Sequence, residues 1–331
     1  MSINRNFKIA KACRLTGMLA ILLSAVCLAP VASVSAQSAT TKTAPATNKQ
    51  DDAKAKAKKE SDRKVIAEFQ HYLRVGRDGK GRAISLETSV TRFIGTNANG
   101  QTVTVDLIGA VHVGEQSYYD KLNEIFKQYD AMLYELVAPE GTRIPNGGRE
   151  STDAMNPVAM MQLGMKGALG LEFQLDHIDY MQSNFVHADM SPEEFAQSMA
   201  DNDESIMGFV LNAIGQSMAM QSSSSTTDAD LLMALFSNDR SVQLRKMFAE
   251  QMQNMEASMA IFKGKEGSTI IDHRNAKAMS ILKREIEGGQ TKLALFYGAG
   301  HLPDMQRRLI EDFGMSRGGQ FWLMAWKLVS E

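Results

Sequence analysis

Two copies of one short pattern, Gly109-Ala110-Val111-His112 and Gly298-Ala299-Gly300-His301, place two histidines 189 positions apart in a chain of 331 residues. Each copy closes an apolar run with strand character, residues 103–108 before the first and 293–297 before the second, and each is followed by helical spacing. Both imidazoles are thereby expected in the turn from a strand into a helix, where open α/β sheets build their sites. A neutral imidazole in that position ligates a cation or accepts a proton. The positive end of the following helix favours the neutral form, and the glycine lets the backbone turn sharply out of the strand.

Two charges in apolar settings complete a candidate constellation. Glu135 interrupts Ala131-Met132-Leu133-Tyr134-Glu135-Leu136-Val137, and a carboxylate there is costly unless it meets a cation, a metal or several donors. Arg274 falls on the apolar stripe of a helix expected over 268–287, with Ile270, Ile271, Ala278, Ile281 and Leu282. A guanidinium on that stripe needs a carboxylate or an anionic ligand. Asn275 beside it is an amide able to orient a ligand or a water, while His273 is expected to face outward. The bland alternative for Glu135 and Arg274 is a buried structural ion pair.

Other polar features rank lower. Asp106 poses the question of Glu135 less sharply. The runs Asp176-His177-Ile178-Asp179 and His187-Ala188-Asp189 resemble ligand clusters, but they fall near expected helix boundaries, where aspartates cap helices. Glu172 can be read either way. The chain has no His-Glu-x-x-His, Gly-x-Ser-x-Gly, Gly-x-Gly-x-x-Gly or P-loop motif.

The elements that must position these residues lie towards both ends of the chain. Strand patterns cover 83–94 and 102–108, joined by a hairpin-like turn over 95–100. Tyr118, Tyr119, Leu122, Ile125, Phe126 and Tyr129 follow at helical spacing, then a buried strand over 131–138 and a Gly- and Pro-rich loop over 139–157. Residues 157–287 read as mainly helical, broken by the Ser/Thr run at 222–227, and rich in methionine from Met199 to Met259. Methionines at such spacing make a soft core or a pliable groove. Strands return over 291–297 and 320–329. The expected fold is α/β (α+β), a central mixed sheet flanked by helices with a helical insertion.

Composition limits the function classes. The chain is 44% hydrophobic and 22% charged, an ordinary globular balance. Arg5, Lys8, Lys11 and Arg14 precede the apolar stretch 15–28, and Val34-Ser35-Ala36 ends in small residues, the layout of a signal peptide over 1–36. Residues 37–64 have the composition of a disordered linker, and a domain is expected over 65–331. Both cysteines, Cys13 and Cys27, lie in the signal, so cysteine nucleophiles and cysteine metal sites are excluded from the mature protein. Removing four basic residues takes the net charge from −2 to −6, which disfavours nucleic acid as a partner. A periplasmic or secreted protein without stable membrane insertion is expected.

In these residues the chain resembles the TraB/GumN family, which includes the Tiki metalloproteases. The resemblance rests on Gly109, His112, Glu135, Arg274, Asn275, Gly298 and His301, runs from about 83 to 329, and is strongest at 103–138 and 268–313. It implies an erythromycin-esterase-like or ChaN-like fold and, for Tiki members, divalent-metal-dependent peptide cleavage. The expectation that follows is an exported hydrolase acting on a peptide or protein. His112 and His301 would bind a divalent metal (Mn²⁺, Co²⁺ or Zn²⁺), Glu135 would be a third ligand or the general base, and Arg274 would stabilise the oxyanion. Two rivals stand beside it. One is a non-enzymatic binding protein for a peptide signal or haem-like ligand, with Tyr118, Tyr119 and the methionines lining the site. The other is an accessory factor in envelope polysaccharide export.

Overall fold

The structure, a computed structural model, describes residues 72–142, 144–145, 147, 166–202, 234, 236–259 and 269–330. The expected signal peptide, the linker and much of the 157–287 insertion lie outside the described residues.

The chain enters through β1 (Leu73–Arg77), which pairs antiparallel with the first half of β2 (Ala83–Thr96). The second half of β2 pairs with β3 (Thr102–Ala110), from Val90 opposite Ile108 to Thr96 opposite Thr102. Asn97 closes the hairpin: its side-chain oxygen accepts the N–H groups of Asn99 and Gln101, and Gly100 takes a φ of 75°. The last strand, β9 (Ser316–Lys327), runs antiparallel along β2.

Parallel pairing begins at β3. Its neighbour is β8 (Lys292–Gly298), then comes β5 (Ala131–Tyr134), and then β7 (Phe185–His187). The order β1-β2-β3-β8-β5-β7, with β9 on β2, is a seven-stranded mixed sheet among the described residues, and helices flank it. Within the parallel part, β3, β5 and β8 are largely buried on both faces, which explains their nearly unbroken apolar runs. A separate pair, β4 (Val113–Gly114) with β6 (Glu172–Phe173), lies just beyond β3.

Helix α1 (Gln116–Phe126) buries Tyr118, Tyr119, Leu122 and Phe126, the stripe its spacing predicts. After it come α2 (Gln174–His177), α3 (Pro192–Asp201), α4 (Arg240–Met259), α5 (Arg274–Glu287) and α6 (Leu302–Glu311). A capping box of Ser191 and Glu194 with Pro192 in the first turn starts α3. A π-helical turn, Thr269–His273, leads into α5. No helix among the described residues is long and apolar enough to cross a membrane.

Three details differ from the sequence reading. Pairing of the 131–138 strand ends at Tyr134, so Glu135 stands at its mouth rather than within it. The span 157–287 includes two short strands, β6 and β7. β1 had no signal beyond the alternation of Leu73 and Val75, because arginines and a glycine fill the rest of it.

Candidate active site at the carboxyl ends of four parallel strands

Four neighbouring strands, β3, β8, β5 and β7, end on the same side of the sheet. Ala110 is level with Gly298, and Tyr134 with both Phe296 and His187. With strands about 4.8 Å apart, the next few residues of each converge at one edge. In spatial order they supply His112, His301, Glu135 and Asp189. The two Gly-x-x-His motifs are thus on adjacent strands, offset by one residue. Helix α5 brings Arg274 and Asn275 against these ends, both buried.

Arg274 is the hub. Its Nε donates to Asp189 Oδ1 at 2.9 Å and its Nη2 to Asp189 Oδ2 at 2.5 Å, a bidentate pair. Nη2 also donates to Glu135 Oε1 at 2.7 Å, while the Gly298 N–H donates to Glu135 Oε2 at 2.7 Å. The three charged side chains are at most 7% exposed. Two carboxylates against one guanidinium leave a net charge of −1 in this buried cluster. Burial pushes the Glu135 carboxyl up, but Arg274, the two imidazoles and the Gly298 N–H outweigh it and hold the group well below the usual carboxylate range. Arg274 is lowered by burial and raised further by Glu135 and Asp189, so it stays charged.

His301 is 5% exposed and stands between Arg274 Nη1 and Glu135 Oε1, each 3.5 Å from its Nε2. Burial lowers its pKa to about 4, and Arg274 adds to the effect against the pull of Glu135 and Asp189. The ring is neutral at pH 7. Burial, more than the start of α6, is the cause. Asn275 fixes the tautomer: its Nδ2 donates to the His301 carbonyl at 3.1 Å and to Asp304 Oδ2 at 3.0 Å. Its Oδ1 therefore faces His301 Nδ1 at 2.7 Å as an acceptor, and Nδ1 carries the proton.

His112 is half-buried, with Nδ1 3.2 Å from Gln174 Oε1. It lies close enough to Glu135 and His301 to bear electrostatically on both. The structure thus brings together His112, His301, Glu135, Arg274 and Asn275. Among the described residues, no group of three or more His, Asp or Glu side chains gathers in a way that could hold one metal ion.

The motif glycines are not used as the sequence suggested. Gly298 has φ −49°, and neither it nor Gly109 has a positive φ. What they provide is room. A Cβ at Gly298 would stand 3.3 Å from Glu135 Oε2, and one at Gly109 would stand 3.3 Å from the Tyr72 carbonyl oxygen. Close approach, not a sharp turn, requires glycine here.

Asp189 is the functional residue that sequence reasoning misplaced. Capping of α3 belongs to Ser191, and Asp189 is the counter-ion of Arg274. The available signal was Phe185-Val186 as a third strand preceding an acidic residue, in parallel with Tyr134-Glu135. Gln174 carried no signal, since its role depends on β6 reaching β4. Asp106 is fully engaged away from the site, bidentate to Arg92 at 2.8 and 2.7 Å and accepting the Tyr129 hydroxyl at 2.7 Å. Glu172 pairs with Lys166 and His177. His273 is half-buried rather than outward, 2.8 Å from Ser198 Oγ.

Tyr118 and Tyr119 pack inward at the end of β3. Both are buried, and their hydroxyls donate to the Gly109 and Val111 carbonyls, which braces the end of β3. Of the methionines, Met199, Met247 and Met252 pack into apolar clusters, and several others lie outside the described residues. Compared with family models, curated proteins and solved structures, the chain matches none.

Proposed function

We propose that the chain is an exported hydrolase that cleaves a peptide bond at the carboxyl ends of β3, β8 and β5. The observation that carries this reading is the placement of a neutral, tautomer-locked His301 beside an Arg274 held by two buried carboxylates. A second imidazole, His112, stands on the adjacent strand. The resemblance to the TraB/GumN family adds the substrate class, and the signal layout over 1–36 adds a periplasmic or secreted location.

Each residue has a distinct task. Glu135 and Asp189 hold Arg274 so that it meets the developing oxyanion without reorganising. Glu135 is a weak proton acceptor, because its environment keeps it ionised far below neutral pH. That argues against the general-base role and for an electrostatic one. His301, neutral at pH 7, keeps Nε2 as its lone-pair nitrogen, beside Arg274 Nη1 and Glu135 Oε1.

A divalent ion belongs to this proposal, and the residues fit it in donor chemistry. His112 and His301 would hold it, and the net negative charge of the Glu135–Asp189–Arg274 cluster favours a cation beside them. In number they fall one short of the three protein ligands usual for catalytic zinc. Bound there, Mn²⁺, Co²⁺ or Zn²⁺ would polarise the scissile carbonyl and acidify a water.

The test is metal analysis and peptide-library hydrolysis with the mature protein, His112→Ala and His301→Ala. Cleavage by the wild type should be lost in both variants while each retains a cooperative unfolding transition. Metal content unchanged in both variants would remove the ion from the proposal. A wild type that cleaves no peptide under any metal supplement would overturn the hydrolase reading.

A further inference from the structure

The two histidines are gripped in the same way by two residues far from them in sequence. Asn275 holds His301 at two points, its Oδ1 2.7 Å from Nδ1 and its Nδ2 3.1 Å from the main-chain oxygen. Gln174 holds His112 at the same two points, its Oε1 3.2 Å from Nδ1 and its main-chain N–H donating to the His112 carbonyl at 2.9 Å. Gln174 Nε2 donates to the Tyr180 hydroxyl at 2.8 Å, which leaves the amide oxygen for the imidazole. Both carboxamides are buried, Gln174 at 4% and Asn275 at 0% exposure.

A carboxamide oxygen accepts and never donates, so the ring nitrogen facing it carries the proton. Nδ1 is thereby protonated on both rings, and Nε2 is the lone-pair nitrogen on both. A carboxylate in the same place would fix the same tautomer but add a negative charge and favour the imidazolium. Choosing an amide fixes the tautomer without doing so. The pair β4–β6 acquires a purpose in this light. Val113 opposite Phe173 sets the register that delivers Gln174, the first residue of α2, to His112.

We infer that Gln174 and Asn275 are a matched pair of positioning residues that lock His112 and His301 in the Nδ1–H tautomer and leave Nε2 as the lone-pair nitrogen of both. The link from tautomer to chemistry rests on the hydrolase reading above; the tautomer itself does not. Orienting partners of this kind carry roughly 10–100-fold in activity or ion affinity.

The experiment is a long-range ¹H–¹⁵N correlation spectrum of full-length, ¹⁵N-histidine-labelled protein at neutral pH without added metal. The six histidines are assigned by single replacements. His112 and His301 should both show an unprotonated Nε2. Gln174→Leu should let the Nε2–H form appear at His112 and leave His301 unchanged. Gln174→Glu should restore the Nδ1–H form at His112, and Asn275→Leu should move His301 alone. A protonated Nε2 at either ring in the wild type would overturn the inference, as would a His112 tautomer indifferent to Gln174→Leu in a protein with its other histidine signals in place. If the tautomers behave as stated and no peptide is cleaved, the hydrolase reading fails and the grip stands. If peptides are cleaved and the tautomers do not respond, the grip fails alone.

Discussion

Replacing Asp189 by asparagine tests the charge cluster most directly, because the change is nearly isosteric and the side chain is fully buried. The carboxylate receives two guanidinium N–H groups, from Nε and Nη2 of Arg274. An amide can accept only one of them, and its own NH₂ then points at the other donor. Arg274 keeps Glu135 but loses its bidentate partner. Breaking a buried pair at one side costs about 3–5 kcal/mol, since the remaining charge is left poorly compensated. With a urea m-value of roughly 3 kcal/mol per molar for a domain of this size, the midpoint should fall by about 1–2 M with no change in slope. Arg274→Met should cost at least as much, because two carboxylates then face each other in a dry site. Joining the two changes should cost well under their sum, with a coupling of about 2 kcal/mol or more, since each single variant already leaves a partner stranded. A loss below about 1 kcal/mol for Asp189→Asn, or additivity of the two changes, would refute the reasoning that Asp189 is the counter-ion.

Four further outcomes follow from the same geometry. His301 has a folded pKa of about 4 against an ordinary 6.5, so the unfolded chain binds the proton first as pH falls. Stability is then full above pH 6.5 and declines between 6.5 and 4, by about 3 kcal/mol for this group. Urea midpoints at pH 7 and pH 4 should fall further in the wild type than in His301→Gln, and equal falls would remove the effect. Gly298→Ala places a Cβ 3.3 Å from the end of the Glu135 side chain, which must give by a few tenths of an ångström, so hydrolysis should drop several-fold while stability changes by less than about 1 kcal/mol. Gly109→Ala meets main-chain oxygens of Tyr72 and Ser89 that cannot yield, so thermal melting should show the larger loss, about 1–3 kcal/mol. Asp106→Asn should cost stability through Arg92 and Tyr129 and leave peptide cleavage per folded molecule unchanged; a catalytic defect in folded protein would place Asp106 in the site after all.

Much of this was legible in the chain because burial in a parallel sheet leaves an apolar run that polar residues can interrupt only for a reason. Glu135 and Arg274 stood out by that rule. The strands on which the two Gly-x-x-His motifs end were equally visible. β7 was not, since three residues of half-buried pairing make too short a run to separate from a helix boundary, and Asp189 was misread with it. Gln174 was hidden for a different reason. Its partner is 62 residues away, and only the β4–β6 register connects them. The role of the glycines was misjudged because sequence shows that a residue is small, not whether the smallness serves torsion or space.

The order of the strands also sets when the site can exist. β8 lies between β3 and β5, although it is made more than 150 residues after either of them. Until the segment from α5 to β8 arrives, the edges of β3 and β5 that will flank β8 have no partner there, and Glu135 has neither Arg274 nor the Gly298 N–H. The central strand therefore works as a keystone. A chain cut short before it lacks the partners of Glu135, and folding must bring β8 back across more than 150 residues before His112 meets His301. Assembly of the site therefore waits on the segment that carries α5 and β8.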